Sequence, residues 1–420
     1  MKIIFIVIDG LGDKPIPKLK NKTPLEAAKT SNLDWLAKNG KCGLIKPFQF
    51  SWQKYPESDT CHLALFGYDP KIYYLGRGPY EVVGIGMKMR EDDVALRANF
   101  ATVDSDKPAK VSLKFRRAYG ASENLKIIDR RAGRIDETSS LIRAISGQRI
   151  EGISFLVKKS FGHRAGLILR GKNLSAKITD ADPKEIDKEV KKVVTRDNSK
   201  EAKFTAKILN KFLLKSYQIL KNHSLNRKRE LAGLLPANFL LVRGAGKFKK
   251  TTSFYQKYRL KACCIAGGAL YKGIAKILGM KLIKVKGATG LLNTNLPAKF
   301  KAVKKALRDF NFVFCHIKAT DNLAEDGKFK AKKEFIEKID KNIKILKKLK
   351  DTIIVVTGDH STCSLLKRHC SEPLPVLIYR KGLKGNGIKK FDEKECKKGS
   401  IKQINQLKLM ATTLKMAGLV

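Results

Sequence analysis

The sequence predicts an α/β fold: a mostly parallel sheet flanked by helices, interrupted by an inserted α+β domain. Three observations carry this. Three short runs share one design: Lys2–Ile8 (KIIFIVI), Phe310–Ile317 (FNFVFCHI) and Ile353–Thr357 (IIVVT). Each is too short for a typical helix, rich in β-branched or aromatic residues and largely apolar, as befits a strand buried on both faces of a parallel sheet. Each run is followed closely by acidic residues, Asp9, Asp321 and Asp359, and open α/β sheets place their sites at these carboxyl ends. Finally, the stretch 81–257 lacks the strand-plus-acid design. It reads as a second domain inserted into the first, which then comprises 1–80 and 258–420.

The elements follow in chain order. After the first strand, Thr23-Pro24 and LEAAKTSNLDWLAKNG supply an N-cap, Pro at N1 and Gly40 as a stop, predicting one helix. The segment PESDTCHLALFGYDP places Ser58 ahead of an apolar, helix-like stretch. The insert is expected to hold short strands at Ile150–Val157, Ala165–Arg170 and Phe239–Val242, and an amphipathic helix near Lys184–Lys221. Ala331–Lys350 puts Phe335, Ile336, Ile339, Ile343 and Leu346 on one helical face, with its lysines on a solvated one. Lys381–Lys398 reads as an exposed loop and Lys402–Ala417 as a last helix.

Composition narrows the function. The 420 residues are 43% hydrophobic, enough for a sizeable core, which excludes global disorder. No apolar run approaches the ~20 residues of a membrane span. The opening run meets Asp9 instead of a cleavage site, so a buried strand is favoured over a signal peptide. The eight cysteines contain no CxxC and no zinc-like quartet, and read as reduced thiols of a cytoplasmic protein. Net charge is +48 and uneven. Residues 1–105 carry 15 basic and 12 acidic groups, whereas 211–315 carry 23 and 2. Either a basic patch for an anionic partner or a lysine-rich solvated surface would produce this.

Asp9, Asp321, Asp359, His360 and His369 all fall at or just after strand ends. Carboxylates with imidazoles suit Mn²⁺, Zn²⁺ or Fe²⁺, whereas Mg²⁺ alone prefers oxygen. Ser58, at a helix start, has backbone N–H groups near its oxygen, which favours an attacking alkoxide and an incoming phosphate. A plain N-cap would read the same from this segment alone.

Taken together, the motifs resemble the archaeal-type 2,3-bisphosphoglycerate-independent phosphoglycerate mutases of the alkaline phosphatase superfamily. The matching stretches are IDGLGD (8–13), SDTCHLALFGYDP (58–70), GRGPYEVVGIG (76–86), RANFATVD (97–104), DRRAGRI (129–135) and HRAGLILRG (163–171). They continue with HSLNRKR (223–229), PANFLLVRGAG (236–246), GATG (287–290), HIKATD (316–321), GDHST (358–362) and HCSEPLPVLI (369–378). They run in family order over essentially the whole chain.

The resemblance implies an alkaline-phosphatase-like catalytic domain with two divalent ions and a transiently phosphorylated serine. Mn²⁺ is the ion expected, with Mg²⁺, Co²⁺ and Zn²⁺ as alternatives, and no bisphosphoglycerate is required. Ser58 would be the nucleophile and a metal ligand, with Asp9, Asp359 and His360 completing the second site. Asp321 and His369 would hold the first. Here the chain departs from the family, because Glu325 stands where a histidine ligand is expected. Spacing i, i+4 keeps it on the helical face of Asp321, and Glu is a competent hard-ion ligand; loss of the first metal is the competing reading. Asp326 is a further candidate. In the insert, Arg130, Arg131, Arg134, His163, Arg164, Asn226 and Arg243 are the substrate-binding candidates, and Asp129 the general base.

The leading expectation is therefore interconversion of 3- and 2-phosphoglycerate in the cytoplasm. The expected partner is a small anionic substrate, with no membrane and no specific nucleic acid; a homo-oligomer is compatible with the sequence. Two alternatives stay open: a related phosphatase or small-alcohol phosphotransferase, and a polyanion or nucleic-acid binder.

Overall fold

The computed structural model describes residues 1–105 and 125–419. The chain divides into two compact units, one of residues 1–74 and 251–420 and one of residues 75–250. Among the described residues the strands, in chain order, are β1 (Lys2–Ile8), β2 (Lys41–Lys46), β3 (Val94–Ser105), β4 (Leu125–Asp129), β5 (Gln148–Ile150), β6 (Ile153–Lys159), β7 (Arg164–Arg170) and β8 (Phe239–Lys247). They continue with β9 (Ala262–Ile265), β10 (Lys281–Leu282), β11 (Phe312–Ile317), β12 (Thr352–Thr357), β13 (Ser361–Cys363), β14 (Arg368–Cys370), β15 (Leu374–Tyr379) and β16 (Lys402–Asn405).

The first unit is built on an eight-stranded sheet ordered β10-β9-β11-β1-β12-β15-β2-β16. The run from β10 to β12 is parallel, and β15 is antiparallel to both neighbours. The three apolar runs lie side by side at its centre, β1 between β11 and β12. Their near-complete burial explains why they carry no alternation. Register aligns their carboxyl ends, with Ile8 opposite Ile317 and Val7 opposite Thr357. The acidic residues that follow thus emerge at one edge of the sheet.

Helices cover this sheet. In Phe329–Ile343 the residues Phe335, Ile336, Ile339 and Ile343 are buried at the spacing read from the sequence, as is Leu346 just beyond. One lysine of this helix is not on a solvated face. Lys332 is fully buried, and its ammonium donates to Asp13 Oδ2 and to the carbonyls of Gly12 and Thr362, each at 3.0 Å. It ties the loop after β1 to β13.

Several local expectations are corrected. The helix expected after Thr23 is two, Pro24–Ala27 and Ser31–Lys38. Thr23 and Glu26 form a capping box, but Ala28 turns extended and ends the first piece. Lys402–Ala417 begins as β16, added parallel to β2, passes through a 3-10 turn at Gln406–Lys408 and is α-helical from Leu409. The Lys381–Lys398 stretch is anchored by buried Ile388, Phe391 and Cys396 and contains the helix Glu393–Cys396. The cysteines are not all thiols: Cys363 and Cys370 form a disulfide across the β13–β14 ribbon, which a search for CxxC does not find. The other six are free and buried.

The second unit carries a sheet ordered β4-β3-β7-β6-β5, with β8 also on β3; every pairing in it is antiparallel. Helix Lys200–Lys221 packs its apolar face on this sheet; it starts later than the expected Lys184 because Ser199 caps it. Helix Arg77–Gly84 belongs to this unit, which moves the boundary from the expected 80/81 to 74/75. Gly78 permits that packing, since a Cβ there would stand 2.1 Å from the carbonyl oxygen of Ala95 on β3.

Candidate active site

The acidic residues after β1, β11 and β12 converge. Asp9, Asp321, Asp359 and His360 are all fully buried. Ligand atoms of Asp9, Asp359 and His360 lie within 4.8 Å of one another, and so do those of Asp321, His360 and His369. His360 stands between the groups, its ring stacked on His369 with centroids 3.8 Å apart. Ser58 is the first residue of helix Ser58–Leu65, and its Oγ lies 3.0 Å from His360 Nε2. Glu325 is the outlying member: its side chain is 43% exposed and its nearest imidazole contact is His369 at 3.8 Å. Asp326 lies in neither group.

Gly10 shows how tightly this edge is packed. Its φ is +64°, and a Cβ would fall 2.6 Å from Thr362 Oγ1 and 2.8 Å from Asp321 Cβ. Its amide instead donates to Asp359 Oδ1 at 3.1 Å.

Electrostatics define what the cluster lacks. Burial, reinforced by the charge of Asp9, pushes the Asp359 carboxyl up to about 7. Burial would raise Asp9 as well, but the Lys318 ammonium and the hydrogen bond from His316 hold it well below the usual carboxylate range. Burial and the neighbouring His369 press His360 down to about 3. Asp9 Oδ1 and Asp359 Oδ2 are buried with no hydrogen-bond partner. Orphaned carboxylate oxygens beside imidazole nitrogens form the donor set that a divalent cation requires, and the residues present fit two such ions. For His369, Nδ1–H donates to the Pro56 carbonyl at 2.8 Å, which turns Nε2 toward the cluster.

Five residues around this cluster escaped sequence reasoning. Lys318 places its ammonium between Asp9 and Asp321, 3.2 Å from the former. Thr362 donates to Asp321 Oδ1 at 2.6 Å. His316 donates from Nε2 to Asp9 Oδ2 at 3.0 Å, and the Tyr271 hydroxyl donates to the same oxygen. His62, one helical turn after Ser58, donates from Nδ1 to the Ser58 carbonyl at 2.7 Å and faces Asp359 Oδ2 at 3.6 Å. The i, i+4 spacing of Ser58 and His62, and the places of His316 on the strand before Asp321 and of Lys318 just after it, were signals available in the sequence; Tyr271 had none.

In the second unit the basic candidates separate into two kinds. Arg130 is spent internally, forking onto Asp182 at 3.0 and 2.6 Å. Asn226 is fully buried and commits its amide to the backbone of Leu220 and Ala237. These two were expected to touch substrate; in the structure the contacts described for both lie within the unit. Arg131, Arg134 and Arg164 are exposed, Arg243 is partly so, and Asp129 accepts from the Arg131 amide at 2.5 Å. His163, pressed to about 3 by burial and by the charges of Arg164, Arg131, Arg97 and Arg134, lies among them.

Two further residues belong to this region. Arg97 and Asn99 alternate on β3 with buried Leu96, Ala98 and Phe100, so both point away from the core. Arg97 pairs across strands with Arg243, and Asn99 with Arg164. Arg97 is 6% exposed, and its Nε and the Asn99 Oδ1 lack hydrogen-bond partners. Glu81 supplies one counter-charge, 3.2 Å from Arg77 and 3.6 Å from Arg97. The alternation in VALRANFA was legible in the sequence and marks this face.

Comparison with known proteins agrees with this geometry. A model of the 2,3-bisphosphoglycerate-independent phosphoglycerate mutase family matches residues 37–226. The chain is 42% identical over 416 residues to such a mutase of Archaeoglobus fulgidus, covering 99% of this chain and 97% of that one. It is 41% identical over 422 residues to one of Methanocaldococcus jannaschii, covering 99% and 97%. Among solved structures, a Pyrococcus horikoshii protein superposes with a TM-score of 0.81 at 31% identity, over 100% of this chain and 98% of that one. The cofactor-independent phosphoglycerate mutase of Thermoplasma acidophilum gives 0.66 at 34%, over 100% of both. With end-to-end identity above 40% to several mutases, the chain belongs to the 2,3-bisphosphoglycerate-independent phosphoglycerate mutase family.

Proposed function

We propose that the protein interconverts 3-phosphoglycerate and 2-phosphoglycerate through a phosphoserine at Ser58, without bisphosphoglycerate, in the cytoplasm. The observation that carries this is the buried Ser58 hydroxyl, at a helix N-terminus and 3.0 Å from His360 Nε2, beside the two acid–imidazole groups. Asp9, Ser58, Asp359 and His360 would hold one divalent ion, and Asp321, Glu325 and His369 the other, with Mn²⁺ the favoured metal. When bound, such ions supply positive charge to a phosphoryl group and favour the serine alkoxide.

The chain's own groups do the rest. Ser58 Oγ gives up its proton and forms the bond to phosphorus as the substrate's ester O–P bond breaks, and the departing alkoxide takes up one proton, so none is gained overall. The N–H groups at the start of the Ser58 helix and the Lys318 ammonium offset charge on the phosphoryl oxygens. Asp129 takes the proton from the glycerate hydroxyl that recaptures the phosphoryl group, which frees Ser58. Arg97, Arg131, Arg134, Arg164 and Arg243 grip the carboxylate and phosphate by forked, charge-assisted hydrogen bonds.

Acid quenching during turnover, followed by phosphopeptide mapping, tests this. Phosphate on Ser58 is expected, and Ser58→Ala should lose at least about a thousandfold in activity. Mutase activity retained by Ser58→Ala without bisphosphoglycerate would overturn the mechanism. Release of inorganic phosphate in place of isomerisation would point to a phosphatase.

A further inference from the structure

We propose that the Cys363–Cys370 cross-link is a positioning element for His369, so that its reduction loosens one of the two metals. The inference rests on reading the acidic cluster as a two-metal site. Four observations carry it.

The β13–β14 ribbon is a separate two-stranded sheet with three residues in each strand. Isolated ribbons of this size are marginal in water. β13 is held firmly, because the Thr362 amide donates to the Gly12 carbonyl at 3.0 Å and buried Lys332 bonds the Thr362 carbonyl. Among the described residues β14, which carries His369, pairs only with β13.

The ribbon presents site residues on both strands. Thr362 and His369 are directly opposite in register. Thr362 bonds Asp321, and His369 Nε2 lies 3.6 Å from Asp321 Oδ1. Each cysteine is the immediate neighbour of one of them, Cys363 of Thr362 and Cys370 of His369. The staple therefore fixes the distance between a strand anchored to the sheet edge and the strand that brings the imidazole.

The metal that His369 serves has little redundancy. Its other proposed donors are buried Asp321 and Glu325, and the Glu325 side chain is 43% exposed. His360 is shared with the group of Asp9 and Asp359, so retention of the ion depends on where His369 is held.

Reduction by a dithiol breaks the Sγ–Sγ bond, delivers two electrons and two protons to give two thiols, and leaves the reductant as its own disulfide. Both cysteines are buried, Cys363 at 1% and Cys370 at 5% exposure, so the exchange is slow and requires the ribbon to open.

The test uses the full-length protein and Mn²⁺, with free Mn²⁺ read by its solution EPR signal. The oxidised protein should bind two Mn²⁺ per chain. After reduction and removal of the dithiol, one of the two should weaken by about tenfold to a hundredfold, the usual cost of losing a ligand's supporting contact. Reoxidation should restore it, and a C363S/C370S double variant should behave as reduced throughout. Unchanged binding of both ions after mass spectrometry has verified reduction would overturn the proposal; wild-type protein suffices for this if the double variant fails to fold. Alkylation of all eight cysteines without reductant would overturn it as well. Failure of the oxidised protein to bind any Mn²⁺ would instead remove the two-metal reading, and this inference with it.

Discussion

At the carboxyl ends of β1, β11 and β12, buried carboxylates crowd within a few ångströms of one another. On one face of β3 and its neighbours, Arg164 and Arg243 bring like charge to bear on buried Arg97. Each region contains a counter-charge close to its charged groups, Lys318 among the acids and Glu81 among the arginines. Each retains buried polar atoms without partners: Asp9 Oδ1 and Asp359 Oδ2 in one, Arg97 Nε and Asn99 Oδ1 in the other. Like charges at this spacing cost stability unless a ligand relieves them. On the proposed reading the acidic region would take a cation and the basic region an anion. The net charge of +48 identifies neither, since both sites depend on local crowding.

The largest expected effect that would break this parallel is at Arg97. Arg97→Lys keeps the charge and loses the fork. If the β3 face grips phosphoglycerate, kcat/KM should fall on the order of a hundredfold, since truncating a buried charged contact costs about 2–5 kcal/mol. Arg130→Lys is the contrast. Its partner is Asp182, so its cost should appear in urea unfolding, with kcat/KM within a few-fold of the parent. Equal kinetic losses in the two variants would mean that anion recognition is spread over the whole basic surface.

A smaller effect sharpens the acidic side. Glu325→His adds an imidazole to the group of Asp321 and His369. It should tighten one Mn²⁺ by about tenfold and shift preference toward Zn²⁺, measured by metal content after dialysis against a weak chelator. No change would place Glu325 outside the coordination sphere.

The two regions also differ in how far the sequence disclosed them. The acidic site was legible because its ligands sit at the ends of three unmistakable strands, and sheet topology alone brings Asp9, Asp321 and Asp359 together. Lys318, His316 and His62 escaped because each reads as an ordinary polar residue until the strand ends are aligned in register. In the insert, motif membership singled out Arg130 and Asn226, yet their partners, Asp182 and the Ala237 backbone, are distant in sequence and visible only once the unit is folded. Arg97 and Asn99 were overlooked although their strand alternation announces a polar face. The disulfide depends on a hairpin whose strands are too short to recognise by pattern.

His163 gives the smallest effect and the most direct comparison. Three histidines, His163, His316 and His360, are held at about 3. Burial is the leading cause in each, but only for His163 are neighbouring guanidiniums the next cause. In the unfolded chain a histidine titrates near 6.5. Between about pH 6.5 and 3 the unfolded state therefore binds more protons, so stability falls as pH drops through this window and is unaffected above it. His163→Gln should flatten part of that acid limb in urea unfolding and leave the share of His316 and His360. Phosphoglycerate should act on His163 selectively. An anion seated among Arg97, Arg131, Arg134 and Arg164 cancels the repulsion, so the His163 pKa measured by imidazole NMR should rise on adding substrate. A divalent ion alone should leave it in place, because the acidic region answers to cations. A His163 pKa indifferent to phosphoglycerate would show that the anion binds elsewhere and that the crowding on β3 has another purpose.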